Sequence, residues 1–166
     1  MKLLSLFVVS LLYSLVVCGI CPAPPQTLES LLSEKMEEIR EKHSINTIYL
    51  IEFIGVGDCV KCTYTSTSIK KILLKDSIIA KRCKYVASPI TIRRKDAVVI
   101  MEDNTIYDTY IVITTKELSD GDIIVKDKFL LLDKSLKVRY RVSADMYLDN
   151  NFIKDMILEC HKIAKE

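Results

Sequence analysis

The chain has 166 residues, 24 of them basic and 22 acidic, for a formal net charge of +2. That length suits one domain. Its 49% hydrophobic content, with only 4 Gly and 4 Pro, excludes a disordered or collagen-like chain. The near-neutral charge supplies no general drive toward nucleic acid, so no nucleic-acid partner is expected. The 6 cysteines have no explanation in composition alone and must be placed one by one.

Residues 1–19 read as a signal peptide outside the fold. Lys2 gives a short positive start, and residues 3–17 are apolar except for Ser5, Ser10, Tyr13 and Ser14. The stretch is shorter than the roughly 20 apolar residues of a membrane span. Two processing routes stay open. Val17-Cys18-Gly19 suits simple cleavage, whereas Leu15-Val16-Val17-Cys18 resembles a bacterial lipoprotein box with a lipid on Cys18. Either route, or a retained signal segment, places the domain outside the cytoplasm, in the periplasm or cell envelope. Membrane contact is expected only through such an anchor.

Residues 20–26 form a proline-rich linker, and 27–166 form the domain. Thr27 is a good N-cap for an amphipathic helix over 27–42, with Leu28, Leu31, Leu32, Met36 and Ile39 on one face. Residues 47–54 are almost unbroken in apolar character and rich in β-branched and aromatic side chains, as in a strand buried on both faces. A turn at 55–58 follows. A second helix runs from Cys59 to about Ile79 with Ile69, Ile72 and Leu73 on its apolar face, and Asp76, which would fall on that face, predicts a break near 75–77. Residues 84–92, 97–101 and 109–114 read as strands. Residues 129–133 and 138–142 flank Lys134-Ser135-Leu136 as a hairpin. Asn150 and Asn151 can cap a last helix with Ile153, Met156, Ile157, Cys160 and Ile163 in one stripe. This order is that of a layered α/β domain.

Cys59-Val60-Lys61-Cys62 carries the sharpest chemistry. It follows a buried strand and opens a helix. A thiolate there faces unpaired N–H groups and the positive end of the helix dipole, which lower its pKa. Cys59 would be the nucleophile, and Cys62 could close a disulfide on it. Lys61 adds to the effect, and Asp58 opposes it.

The stretch from Tyr49 through Cys62 resembles the strand, turn and active-site helix of the thioredoxin-like family. Glu52-Phe53 matches that family's carboxylate–Phe pair. The resemblance implies an α/β, three-layer thioredoxin-like domain engaged in thiol–disulfide exchange with protein thiols or disulfides, without a bound cofactor. It gives Glu52 the role of moving a proton to or from Cys62. From the residues alone, a carboxylate amid Leu50, Ile51, Phe53 and Ile54 is costly unless paired. Glu52 could instead point to a polar edge or pair with a lysine. The hairpin and closing helix also resemble the family's ending. Residues 84–124 do not, and imply a strand-rich middle insertion.

Two departures from the family bear on its substrate groove. Its cis-proline position falls near Asp127 or Lys128, where no proline stands, and Asp58 replaces the usual Trp before the first cysteine. A second reading therefore stands beside the first: a catalytically weak thioredoxin-like binding or accessory module with a structural Cys59–Cys62 disulfide. A zinc site is disfavoured because it needs about four ligands. The chain offers only His43 and His161 and no second C-x-x-C in the mature core. No metal is expected. Cys160 reads as a core residue; a Cys83–Cys160 bridge stays open, as does a reactive role for Cys21. The basic runs at 70–71 and 93–95 read as solvated faces, and His43 and His161 as solvated or capping residues at helix ends.

Overall fold

The structure, a computed structural model, describes residues 26–41, 47–55, 60–91, 93, 95–97, 107–143 and 151–166, and only the backbone of 38 and 60–66. The signal peptide, most of the linker, Cys18, Cys21, His43, Asp58, Cys59 and Asn150 lie outside the described residues.

Helix α1 (Leu28–Arg40) begins where the sequence places it. Thr27 caps it in extended conformation: the Ser30 N–H donates to Thr27 Oγ1 at 3.2 Å, and the Thr27 N–H donates to Ser30 Oγ at 2.9 Å. Leu28, Leu31, Leu32, Met36 and Ile39 are buried on its inner face. Strand β1 (Ile48–Ile54) is buried along nearly its whole length.

Helix α2 (Val60–Leu73) ends before the expected break, and α3 (Ser77–Arg82) follows. Asp76 makes the break productive. Its carboxylate accepts the Ile78 N–H at 2.9 Å and the Ile79 N–H at 3.2 Å, capping α3. Ile69 and Leu73 are buried, but Ile72 is exposed. Ile72 sits about 100° round the helix from Leu73, off the line that faces the sheet.

Strand β2 (Cys83–Thr91) pairs parallel to β1 in continuous register from Ile48↔Cys83 to Ile54↔Pro89. The middle differs from the reading of three strands. Residues 95–97 are helical, so Ala97 does not open a strand; 98–101 lie outside the described residues. The expected 109–114 strand is two short pieces, β3 (Thr109–Tyr110) and β4 (Ile113–Thr114). β3 pairs with Val86 and Ala87, and β4 with Ile90 and Thr91. The gap between them lies beside Ser88 and Pro89, and proline has no N–H to give a ladder. Helix α4 (Thr115–Asp120) follows, capped by Thr114 and Glu117.

Strands β5 (Asp127–Leu132) and β6 (Val138–Ser143) form the hairpin. Asp133 organises its turn, accepting the Ser135 N–H at 2.8 Å and the Lys137 N–H at 3.1 Å. Leu136 takes a left-handed φ of 60° in that turn. This costs about 1–2 kcal/mol for a side-chain-bearing residue, and burial of its side chain offsets it. Helix α5 (Asn151–Ile163) buries Phe152, Ile153, Met156, Cys160 and Ile163.

The sheet runs β3-β2-β1-β5-β6, with β4 also beside β2; β5 is antiparallel to β1 and β6 to β5. Side chains alternate across it. Tyr49, Ile51, Phe53, Leu130 and Leu132 meet α1 on one face. Ile48, Leu50, Phe129 and Leu131 meet residues of α2, α3 and α5 on the other. The result is an α/β three-layer domain with a remodelled middle.

Candidate functional site

Alternation along β1 decides where Glu52 goes. It follows Ile48 and Leu50 at intervals of two, so it enters the layer covered by α2, α3 and α5. Its side chain is 1% exposed. It lies near the end of β1 from which the chain leads to α2. Cys62 stands in the first turn of α2 by its backbone. Cys59 lies outside the described residues, so the dithiol itself has no described geometry.

The buried carboxylate is paired. The Tyr85 hydroxyl donates a short hydrogen bond to Glu52 Oε2, and the Tyr107 hydroxyl donates to the same oxygen at 2.9 Å. Lys128 Nζ lies 3.4 Å from Oε1 and also donates to the Phe53 carbonyl at 2.9 Å. Glu52 is thus deep in the domain rather than at a polar edge, and a lysine does pair with it. Burial without such partners would be costly.

Each partner comes from a different element. Tyr85 stands on β2 opposite Leu50, and Lys128 on β5 next to Phe129, which pairs with Glu52. Tyr107 belongs to the segment entering β3. Asp108 fixes that segment: its N–H donates to the Tyr85 carbonyl at 2.8 Å, and its carboxylate accepts the Tyr85 N–H at 2.7 Å. The two phenol rings are 4.9 Å apart and tilted by 49°, within the range of favourable aromatic pairs. Lys70 of α2 places its ammonium 5.4 Å from the Tyr85 ring centroid. Lys70 is therefore half-buried and not simply a solvated face; burial holds its pKa below the ordinary lysine value. Arg93 fits the solvated reading, pairing with Asp96 at 3.1 Å.

Sequence reasoning singled out Glu52 but missed Tyr85 and Tyr107 as its partners. In the sequence Lys128 stands out only as a position where the family has a proline. A tyrosine at the strand position that parallel pairing sets beside Leu50 was a usable signal. Nothing local marked Tyr107, 55 residues from Glu52.

The remaining described cysteines are unlike an activated thiol. Cys83 and Cys160 are free, so the bridge left open between them is not formed. Both belong to the α2/α3/α5 layer. Burial pushes the Cys83 thiol well above the usual range, and burial with the nearby Asp76 and Glu159 charges pushes Cys160 up to about 12. Thiols held in that form are poor nucleophiles. His161, at the end of α5, meets Asp76 at 2.7 Å rather than standing free in solvent. That contact and the α3 amides hold the Asp76 carboxyl below its usual range.

No protein-family model matches the chain, and no curated protein matches it in sequence. Solved structures do. A thioredoxin-like protein from Porphyromonas gingivalis aligns with TM-score 0.50 at 12% identity, covering 72% of this chain and 77% of that one. A SCO1/SenC family lipoprotein from Bacillus anthracis aligns at TM-score 0.48 and 13% identity over 78% and 85% of the two chains. A thiol:disulfide interchange protein from Bacteroides sp. aligns at 0.45 and 16% over 69% and 75%. At these identities the likeness is one of fold. With its central parallel β1–β2 pair, antiparallel β5–β6 hairpin and helices on both faces, this chain has a thioredoxin-like fold.

Proposed function

We propose that the protein is an exported thiol–disulfide oxidoreductase. Cys59 thiolate attacks one sulfur of a partner disulfide, forming a mixed disulfide and releasing the other partner sulfur as thiolate. Cys62 then gives up its proton and attacks Cys59. The Cys59–partner bond breaks, and its electron pair leaves with the partner sulfur that Cys59 first attacked. The partner gains two electrons, and the protein is left with a Cys59–Cys62 disulfide. Run in reverse, the same steps oxidise a partner dithiol. Glu52 takes up or returns the Cys62 proton.

The observation that carries this reading is the buried Glu52 carboxylate. It lies in the layer packed beneath α2, in the strand that leads into the C-x-x-C. Apart from Tyr85, Tyr107 and Lys128, which gather round the carboxylate, the buried side chains of that layer are apolar and would pack without it. The thioredoxin-like fold is consistent with the role but does not by itself give it.

The test is a Cys62→Ser variant expressed with its natural leader. Mixed disulfides through Cys59 should accumulate in the cell envelope and disappear on reduction. If the Cys62→Ser chain carries no partner and the wild-type protein reduces no disulfide substrate, the accessory-module reading replaces this one.

A further inference from the structure

The remodelled middle of the chain is built into the Glu52 site. Tyr107 lies just before β3, in the segment that departs from the family pattern. Asp108 exchanges two hydrogen bonds with the Tyr85 backbone and so sets Tyr107 beside Tyr85. Both hydroxyls then converge on one carboxylate oxygen, while Lys128 faces the other. Two phenols on Oε2 and an ammonium beside Oε1 restrain both the position and the rotation of the carboxylate. Mere neutralisation of a buried charge would need the lysine alone. Two donors, one from β2 and one from the segment before β3, directed at the same atom, fix its orientation as well.

We infer that Tyr85 and Tyr107 are positioning residues that hold the Glu52 carboxylate for proton exchange with Cys62. This rests on the oxidoreductase reading above. The segment 107–110 is then part of the active centre, acting through Glu52 without touching substrate. The step they serve is the resolving one. The proton of the Cys62 thiol passes to the Glu52 carboxylate as the Cys62 sulfur bonds to Cys59, and the partner sulfur leaves with the electron pair. The first attack, by Cys59, does not involve them.

The resolving step can be watched alone. Cys59 of the purified full-length protein is converted to its mixed disulfide with 5-thio-2-nitrobenzoate. Attack by Cys62 releases the coloured thiolate. Tyr107→Phe keeps the ring and removes only the hydroxyl. It should slow release about tenfold, a fraction of the roughly 10²–10⁴-fold that a well-placed acid or base contributes. Glu52→Gln should slow it at least as much. The deciding result is the combination: in the Glu52→Gln background, Tyr107→Phe should change the rate by less than about twofold, because its effect runs through the carboxylate.

An unchanged rate in Tyr107→Phe overturns the inference. So does equal slowing in both backgrounds, which would mark a packing effect. Tyr85→Phe takes the same cycle if Tyr107→Phe loses its far-UV circular dichroism, and it is subject to the same two outcomes. Failure of the oxidoreductase reading looks different. There the wild-type protein would release the thiolate no faster than Cys62→Ser, and both proposals would fall.

Discussion

The two layers of the domain each contain a carboxylate–lysine pair, and the pairs differ in purpose. Glu117 and Lys35 meet at 2.5 Å between α4 and α1, with side chains 26% and 16% exposed. Glu117 also accepts the Thr114 N–H and hydroxyl, each at 2.8 Å, so it closes a capping box and ties one helix to another. Its surroundings account for it as a structural residue. Glu52 caps nothing. It sits within a strand, deeper than Glu117, and takes its partners from β2, β5 and the segment before β3. A pair at the margin of a layer builds the fold; Glu52 lies within the layer shared by α2, α3 and α5, with a set of donors of its own.

The largest expected effect comes from breaking the deep pair. Lys128→Met removes the cation facing Glu52 and should destabilise the protein by about 3–5 kcal/mol, the usual range when one partner of a buried pair is lost. Denaturant unfolding of wild type and variant measures it. A loss below about 1 kcal/mol would place the pair with ordinary surface ion pairs and erase the contrast between the two layers.

The marginal pair should give a smaller, pH-limited effect. Burial alone would raise the Glu117 pKa, but hydrogen bonds from Lys35 and Thr114 outweigh it and bring the value from 4.5 to about 2. A folded-state pKa below the unfolded one adds stability at pH above the unfolded value. That stability is lost as pH falls through the folded value. Glu117→Gln should therefore cost about 1 kcal/mol or less near neutrality. The difference in thermal midpoint from wild type should shrink as pH drops from about 4.5 toward about 2. A difference that stays constant or grows in acid contradicts the assignment.

Much of the frame was legible because its signals are local. The Thr27 cap, the apolar run of β1, the Asp133 turn and the stripe of α5 each lie within a few residues and act through backbone hydrogen bonds or a single buried face. Asp76 was legible as a misfit on an apolar face, and the structure uses it as a cap. The site was legible only in part. Glu52 stood out as a carboxylate in an apolar run, whereas its donors are brought by strand pairing. The Tyr85 position follows once β1 and β2 are taken as parallel and in register. Tyr107 depends on the Asp108 latch and on where the outer strand breaks beside Pro89. Those are tertiary facts with no periodicity to announce them. Lys70 was misread for the same reason, since only the Tyr85 ring beneath it distinguishes it from Lys71.

The central claim is that Cys59 and Cys62 exchange disulfides rather than staple the fold. The most direct measurement is the reduction potential of that pair, equilibrated against glutathione buffers with Cys62→Ser as the blank. A potential above about −300 mV is the expected result, because it leaves the disulfide open to exchange with partner thiols. A potential well below about −300 mV is typical of structural bridges and would contradict the account.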